Sequence, residues 1–168
     1  MPPRLRPTML SDLEWVVTVE TDAVNLPFIT PWERTQHEGA IRFPDSRHFI
    51  AEAGEVGERA GFVIVQGCRS PNRSVELKRM VLQPKGQGLG RACVRLLKRM
   101  AFRDLHAHRF WLDVKALNTR AHALYSSEGF VEEGRLRESV RAGDGWDSLI
   151  VMSMLDREYD ARLALGLE

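Results

Sequence analysis

Three alternating glycines, Gly86, Gly88 and Gly90, stand between an apolar run, Val75 to Leu82, and an amphipathic stretch, Leu89 to Leu105. The first run alternates as a strand does. In the second, Leu89, Cys93, Leu96, Leu97, Met100 and Leu105 fall on one helical face. A strand-to-helix junction rich in glycine lets backbone amides approach a ligand closely. The helix start adds unpaired N–H groups and the positive end of a dipole, which suits a pyrophosphate. Lys85 and Arg91 flank the loop with charge. A flexible turn before an ordinary helix is the alternative. A P-loop needs G-x-x-x-x-G-K-[ST], which is absent, and a dinucleotide fingerprint needs G-x-G-x-x-G, where this chain has Arg91 in the last position. No acid follows about 20 residues on, where His106 stands, so a Rossmann site is disfavoured.

Around this junction the pattern predicts one α+β domain over residues 1–168 with a central mixed sheet. Leu5 to Arg6 begins a short strand. Ser11 to Glu14 reads as a capping box, and Thr30 to Glu33 and Thr35 to Glu38 repeat the signature, giving helix, loop and short helix up to Ile41. His48 to Ala53 and Gly61 to Gly67 form a hairpin around Gly54 to Arg59. Phe110 to Val114 is a compact apolar strand. Asn118 to Glu128 is a helix closed by Gly129. Phe130 to Glu132 and Ser148 to Leu155 are strands, Arg137 to Arg141 pairs with one of them, and Asp156 to Glu168 is a short helix.

Charge is distributed unevenly. Residues 8–45 hold seven acids and two bases, whereas residues 78–109 hold nine bases and one acid. One part suits a cation and the other an anion. The formal net charge of +1 suggests neither nucleic acid nor a membrane. No apolar run approaches the roughly 20 residues of a membrane span. Cys68 and Cys93 have no metal or redox spacing, which fits a reducing, cytoplasmic setting, and no His/Cys cluster has metal spacing.

At this point the sequence resembles the GNAT N-acetyltransferase family. That family's cofactor motif, [QR]-x-x-G-x-[GA], reads here Lys85-Gly86-Gln87-Gly88-Leu89-Gly90, with lysine at the first position. Its second motif, N-x-x-A-x-x-[LIVM]-Y-x-x-x-G-F, is matched in full from Asn118 through Ala121, Leu124 and Tyr125 to Gly129-Phe130. The resemblance covers residues 60–155 well and residues 4–50 more loosely. The segment Glu133 to Glu138, with Met152 to Leu155, resembles the branch related to ribosomal-protein N-terminal acetyltransferases.

The resemblance implies acetyl-CoA as co-substrate, no metal, and direct attack by a primary amine, such as a cationic small molecule or a peptide N-terminus. A homodimer is compatible with it. It implies that the strands on either side of the junction splay apart. Backbone groups of Met80, Val81 and Leu82 would then meet the pantetheine arm and polarise the thioester, while residues Lys85 to Arg91 hold the phosphates. Asn118, Ala121 and Tyr125 share one helix face, so a thin chain can lie along it. Tyr125 would protonate the leaving thiolate, and a half-buried structural aromatic is the alternative. Asn118 is a helix cap, a ligand contact, or both. Strand parity predicts that Glu76, Lys78 and Met80 point together, making Glu76 a candidate base, directly or through water; a solvated glutamate paired with Lys78 or Arg79 is equally open. His37, Glu33 and Glu38 are candidates for the acceptor side, with solvated helix faces the alternative for the two acids, and Trp32 and Trp146 are either core or acceptor-pocket walls. A non-catalytic acyl-CoA sensor and an unrelated phosphate-binding module remain as other classes.

Overall fold

The structure, a computed structural model, describes residues 2–168. Seven strands form one sheet: β1 (Arg4–Pro7), β2 (Arg47–Ala53), β3 (Glu58–Gln66), β4 (Ser74–Leu82), β5 (Arg109–Lys115), β6 (Val131–Ala142) and β7 (Gly145–Leu155). Their order is β1-β2-β3-β4-β5-β7-β6. Every pairing is antiparallel except β4 with β5. A parallel pair needs a long crossover, and α3 (Leu89–Arg99) supplies it. The remaining helices are α1 (Leu13–Glu20), α2 (Arg34–Arg42), α4 (Thr119–Ser127) and α5 (Asp156–Ala164). The expected α+β class and mixed, mostly antiparallel sheet are observed. Among the described residues, no helix is long and apolar enough to cross a membrane.

Two cores cover the sheet. On one face Leu13, Val16 and Val19 of α1 and Ala40 of α2 pack on Ile50, Phe62, Ile64 and Val81. On the other, α3 and α4 pack through Val94, Leu97 and Tyr125 on Val63, Leu77, Phe110 and Leu112. Each fully buried side chain such as Phe62 or Ile64 contributes roughly 1.5–3 kcal/mol.

Several boundaries differ from the sequence pattern. The first helix is not capped by Ser11: a 3-10 turn (Leu10–Asp12) precedes it, and the Asp12 carboxylate accepts the Met9 N–H at 2.9 Å. Asp12 is also held by Arg6, which explains its burial. Residues 30–33 stay outside α2; Gln36 Oε1 instead accepts the Glu33 N–H at 2.8 Å and starts the helix at Arg34. After α3 the chain loosens into a π turn (Met100–Asp104). The two segments expected around residues 130 and 137–141 are one strand, β6, with register breaks between Glu132 and Gly134 and between Leu136 and Val140.

A buried polar chain runs under α1 and α2. Glu20 accepts from Arg79 and from the Trp32 N–H, the latter at 3.1 Å. His37 Nε2 meets the other Glu20 oxygen; His37 Nδ1 meets His48 Nε2 at 3.1 Å; His48 Nδ1 meets Thr8 Oγ1 at 2.8 Å. One proton per contact satisfies the chain, as buried polar groups require. His37 is therefore wholly buried in this network and does not line an acceptor site.

Burial, reinforced by His37, pushes the His48 imidazole down to about 3, against roughly 6.5 in an unfolded chain. Above pH 6.5 neither state binds this proton. Below it the unfolded chain takes up a proton that the folded one refuses. Stability should therefore fall as pH drops from about 6.5 toward 3, by up to about 1.4 kcal/mol per pH unit. Urea unfolding between pH 7 and 5 should show this fall, and His48→Gln should flatten it. An equal slope in the His48→Gln protein would assign the titration to another group.

Candidate functional site

The site begins where two strands stop pairing. β4 and β5 are bonded only through Ser74↔Arg109, Val75↔Phe110 and Glu76↔Trp111. Both continue, to Leu82 and Lys115, without each other. The β3–β4 register explains the change of course: Ile64 faces Arg79, but the next residue, Val65, faces Leu77. Lys78 is the extra residue of a bulge, which bends a strand and disturbs its alternation. Val75, Leu77 and Met80 consequently all pack against the core under α3 and α4, while Arg79 and Val81 turn to the α1 side. The predicted common face of Glu76, Lys78 and Met80 is thus corrected: Met80 lies opposite. Glu76 and Lys78 remain neighbours, at 3.9 Å.

The parted strands open a cleft of about 460 Å³. Of the predicted residues, Met80 and Leu82 line it from β4. Lys85, Gly86, Gly88, Leu89, Gly90 and Arg91 line its mouth, and Asn118, Ala121 and Tyr125 line it from α4. Three others do not line it. Val81 is buried against α1, Gln87 is exposed to solvent, and Glu76 sits below the parting point.

At the mouth, Gly86 and Gly88 have φ of +90° and +73°, a region that favours glycine. No side chain caps α3, so its first-turn N–H groups stand unpaired beside the cleft. A Cβ on Gly90 would lie 3.1 Å from Leu124, which sets how closely α3 approaches α4. Lys85 stands 5.2 Å over the Phe28 ring. Burial first, and the neighbouring Arg120 guanidinium second, hold its ammonium below the usual lysine value. Two crowded cations beside unpaired amides form a site for an anion.

Arg91 has a partner that the sequence did not announce. Its guanidinium bonds Glu128, which also binds Arg95 at 3.1 Å and Lys98 at 3.0 Å. These three cations hold the Glu128 carboxyl below its usual range despite burial. Arg91 lines the mouth, where it shares the one Glu128 carboxylate with Arg95 and Lys98. Arg120 was missed, although it lies inside the second motif and its basic side chain was the available signal.

Deeper in, Asn118 caps α4, accepting the Ala121 N–H at 3.2 Å. Tyr125 is 8% exposed, and among the described residues its hydroxyl has no hydrogen-bond partner. Burial pushes its pKa well above the usual phenol value, so it stays protonated and can act only as a donor near neutral pH. Burial likewise raises the Glu76 carboxyl; Lys78 opposes this and Asp113 adds to it.

The cleft is also lined by Lys78, Asp113 and Lys115, and by a wall from Phe28 to Thr30. Asp113 and Lys115 were also missed. They are the polar alternates of the β5 run, overlooked because its inward residues are so apolar. The acids expected at the acceptor side are elsewhere: Glu33 precedes α2, and Glu38 pairs with Arg34 at 3.2 Å on its surface. Trp32 stands near Arg79 and His37, while Trp146 is exposed beside Arg141.

The sequence and architecture have relatives. The chain is 26% identical over 105 residues to YdaF of Bacillus subtilis (strain 168), provisionally named a ribosomal N-acetyltransferase, covering 62% of this chain and 57% of that one. It is 34% identical over 91 residues to Rv2669, an uncharacterized N-acetyltransferase of Mycobacterium tuberculosis (strain ATCC 25618 / H37Rv), covering 54% and 57%. The matches thus span a little over half the length of these relatives. Among solved structures, spermidine N-acetyltransferase from Vibrio cholerae in complex with CoA and spermine is similar, with a TM-score of 0.85 at 23% identity over 94% of this chain and 98% of that one. At such identity the likeness speaks for the fold. Residues 13–130 match the model of the acetyltransferase (GNAT) family, and this match, with the parted β4–β5 cleft it encloses, makes the chain a member of that family.

Proposed function

We propose that the protein transfers an acetyl group from acetyl-CoA directly to a primary amine. One observation carries the proposal: an uncapped helix start beside two crowded cations and a buried, unpartnered tyrosine line the same cleft between parted strands. Acetyl-CoA supplies an activated thioester. Lys85, Arg120 and the first amides of α3 fit its pyrophosphate. Asn118, Ala121 and the free β5-facing edge of residues 77–82 border the path of a thin chain from the mouth inward. Backbone N–H groups of that edge can stabilise negative charge developing on the thioester oxygen.

Tyr125 donates its proton to the departing sulfur. An alkylammonium must lose a proton before it attacks, since its pKa lies near 10. Glu76, raised by burial and set back from the lining, takes that proton through water. The two groups sit in environments that push both pKa values upward, one keeping an acid protonated and the other strengthening a base. Cys68 and Cys93 are both free thiols, which suits a reaction in the reducing cytoplasm.

Three outcomes test this. Gly88→Val has room for its side chain but a backbone that β-branched residues resist; it should weaken acetyl-CoA binding at least about tenfold, measured by calorimetry on protein whose circular dichroism is unchanged. Full affinity would move the phosphate site elsewhere. Tyr125→Phe should lower turnover by about 10²–10⁴-fold with acetyl-CoA affinity retained. Should acetyl-CoA bind while neither wild type nor variant releases thiol with any amine, the protein is a sensor and the catalytic assignment falls. For wild type, kcat/KM should climb with pH through the raised carboxyl value of Glu76, because only the ionised form accepts a proton. Glu76→Gln should lose that acid limb along with most activity, and an intact limb would assign the base to another group.

A further inference from the structure

Charges buried in this protein have internal partners, with one exception inside the cleft. Arg79 is paired with Glu20, and the fully buried Lys98 with Glu128 and Glu168. Lys115 is only 7% exposed and lines the cleft, yet among the described residues it makes no ion pair and no side-chain hydrogen bond. Asp113, two residues earlier on the same face of β5, also lines the cleft and likewise has no partner among the described residues. The Lys115 ammonium is not among the buried unpartnered atoms, so its charge opens on the cleft, free to meet an anion there. Lys78 adds a second cation across the gap, at 3.9 Å from Glu76.

We infer that the acceptor is a compact zwitterion, an amine carrying a carboxylate or phosphate a few bonds away, with Lys115 binding the anion and Asp113 the ammonium. The inference rests on the acetyl-transfer reading above and names the substrate class of the same site. Side chains two apart on one strand face stand about 7 Å from each other, a span that a short amino acid or amino phosphate bridges. Leu149, the β7 partner of Lys115, and Val140 of β6 give the anion's end of the site an apolar border. A polyamine fits poorly. Among the described residues, Asp113 is the single carboxylate on the cleft lining, which it shares with Lys78, Lys85, Lys115 and Arg120, so a second or third ammonium would meet cations. Of the seven acids counted near the N-terminus, Asp12, Glu20 and Glu38 are engaged in internal pairs, and none of the seven lines the cleft. A peptide N-terminus offers an ammonium but no anion at a fixed short distance.

Matched amines test the inference, with thiol release measured at saturating acetyl-CoA: glycine against glycinamide, β-alanine against its amide, phosphoethanolamine against ethanolamine, with spermidine and a C-terminally amidated tripeptide alongside. The member that carries a carboxylate or phosphate in at least one pair should exceed its partner without one by roughly 10–100-fold in kcat/KM. Lys115→Met should raise KM for that member by a similar factor while leaving the partner without an anionic group within about twofold. Lys115→Arg should recover part of the loss. Preference for spermidine or the tripeptide overturns the inference, as does a Lys115→Met defect that is equal for both members of a pair. Calorimetry of the same amines against the CoA-bound protein separates the two levels. Lys115-dependent binding of a zwitterion without turnover upholds this inference while the transfer reading falls. Turnover only of the amines without an anionic group does the reverse.

Discussion

The site depends on one departure from regular pairing, the bulge at Lys78. A strand that kept its alternation would hold β4 beside β5 to its end, and the sheet would have no opening. With one extra residue, β4 bends away after Glu76. Three consequences follow together. The backbone beyond Glu76 loses its neighbour and faces an open gap. Met80 is delivered to the same core as Leu77, helping seal the floor. Arg79 is turned to the opposite side, where Glu20 receives it. A parallel pair is the natural place for such a gap, because its strands are joined by a distant crossover rather than a hairpin. That crossover helix starts at the mouth of the cleft.

Two buried carboxylates then fix the walls. Glu20 binds Arg79 and the Trp32 N–H, and Arg79 in turn donates to the Thr30 carbonyl at 2.8 Å. The segment from Phe28 to Thr30, which has little helix or strand of its own, is thereby tied to β4. Glu128 does the equivalent work on the other side, joining the end of α4 to Arg91, Arg95 and Lys98 of α3. Removing Glu20 would leave the buried Arg79 without its carboxylate, a cost of about 3–5 kcal/mol in comparable cases; without Glu128 the buried Lys98 would still keep Glu168. Both hubs have spent their charge on structure. On the proposed chemistry, the groups left for ligands are those that have no ion pair or side-chain hydrogen bond among the described residues: Lys85 and Arg120 at the mouth, with Tyr125, Asp113 and Lys115 elsewhere on the lining.

Local chemistry made much of this legible in the sequence. Gly86 and Gly88 are glycines because their φ values are positive, and Asn118 is an asparagine because a helix start needs a side-chain acceptor. Alternation and helical periodicity placed the strands and helices near their observed limits. What could not be read were facts that depend on partners distant in the chain. Arg91 looked free until Glu128, 37 residues on, was brought to it. His37 looked like an acceptor-site group, yet Glu20 and His48 enclose it. A bulge has no signature in alternation alone, so Glu76 and Met80 were given a common face that one inserted residue removes. The surplus of acids near the N-terminus was real in composition, but three of the seven are engaged by Arg6, Arg79, His37 and Arg34, and none lines the cleft.

A gap in a sheet, unlike a pocket on its surface, is reachable from both faces. Tyr125 and the α3 amides border it from the α3–α4 side. Glu76 and Asp113 belong to the opposite face, since they alternate with Val75, Leu77, Leu112 and Val114 of the core beneath those helices. On the proposed chemistry, one reactant enters from each side and the two meet in the gap. No protein nucleophile is then required, because neither reactant must leave before the other arrives. The acid and base also have no need to touch. The proton leaving the amine and the proton reaching the sulfur are handled on opposite faces of the sheet. That division explains why a buried phenol and a half-buried carboxylate, each unsuited to the other's task, can serve the same transfer.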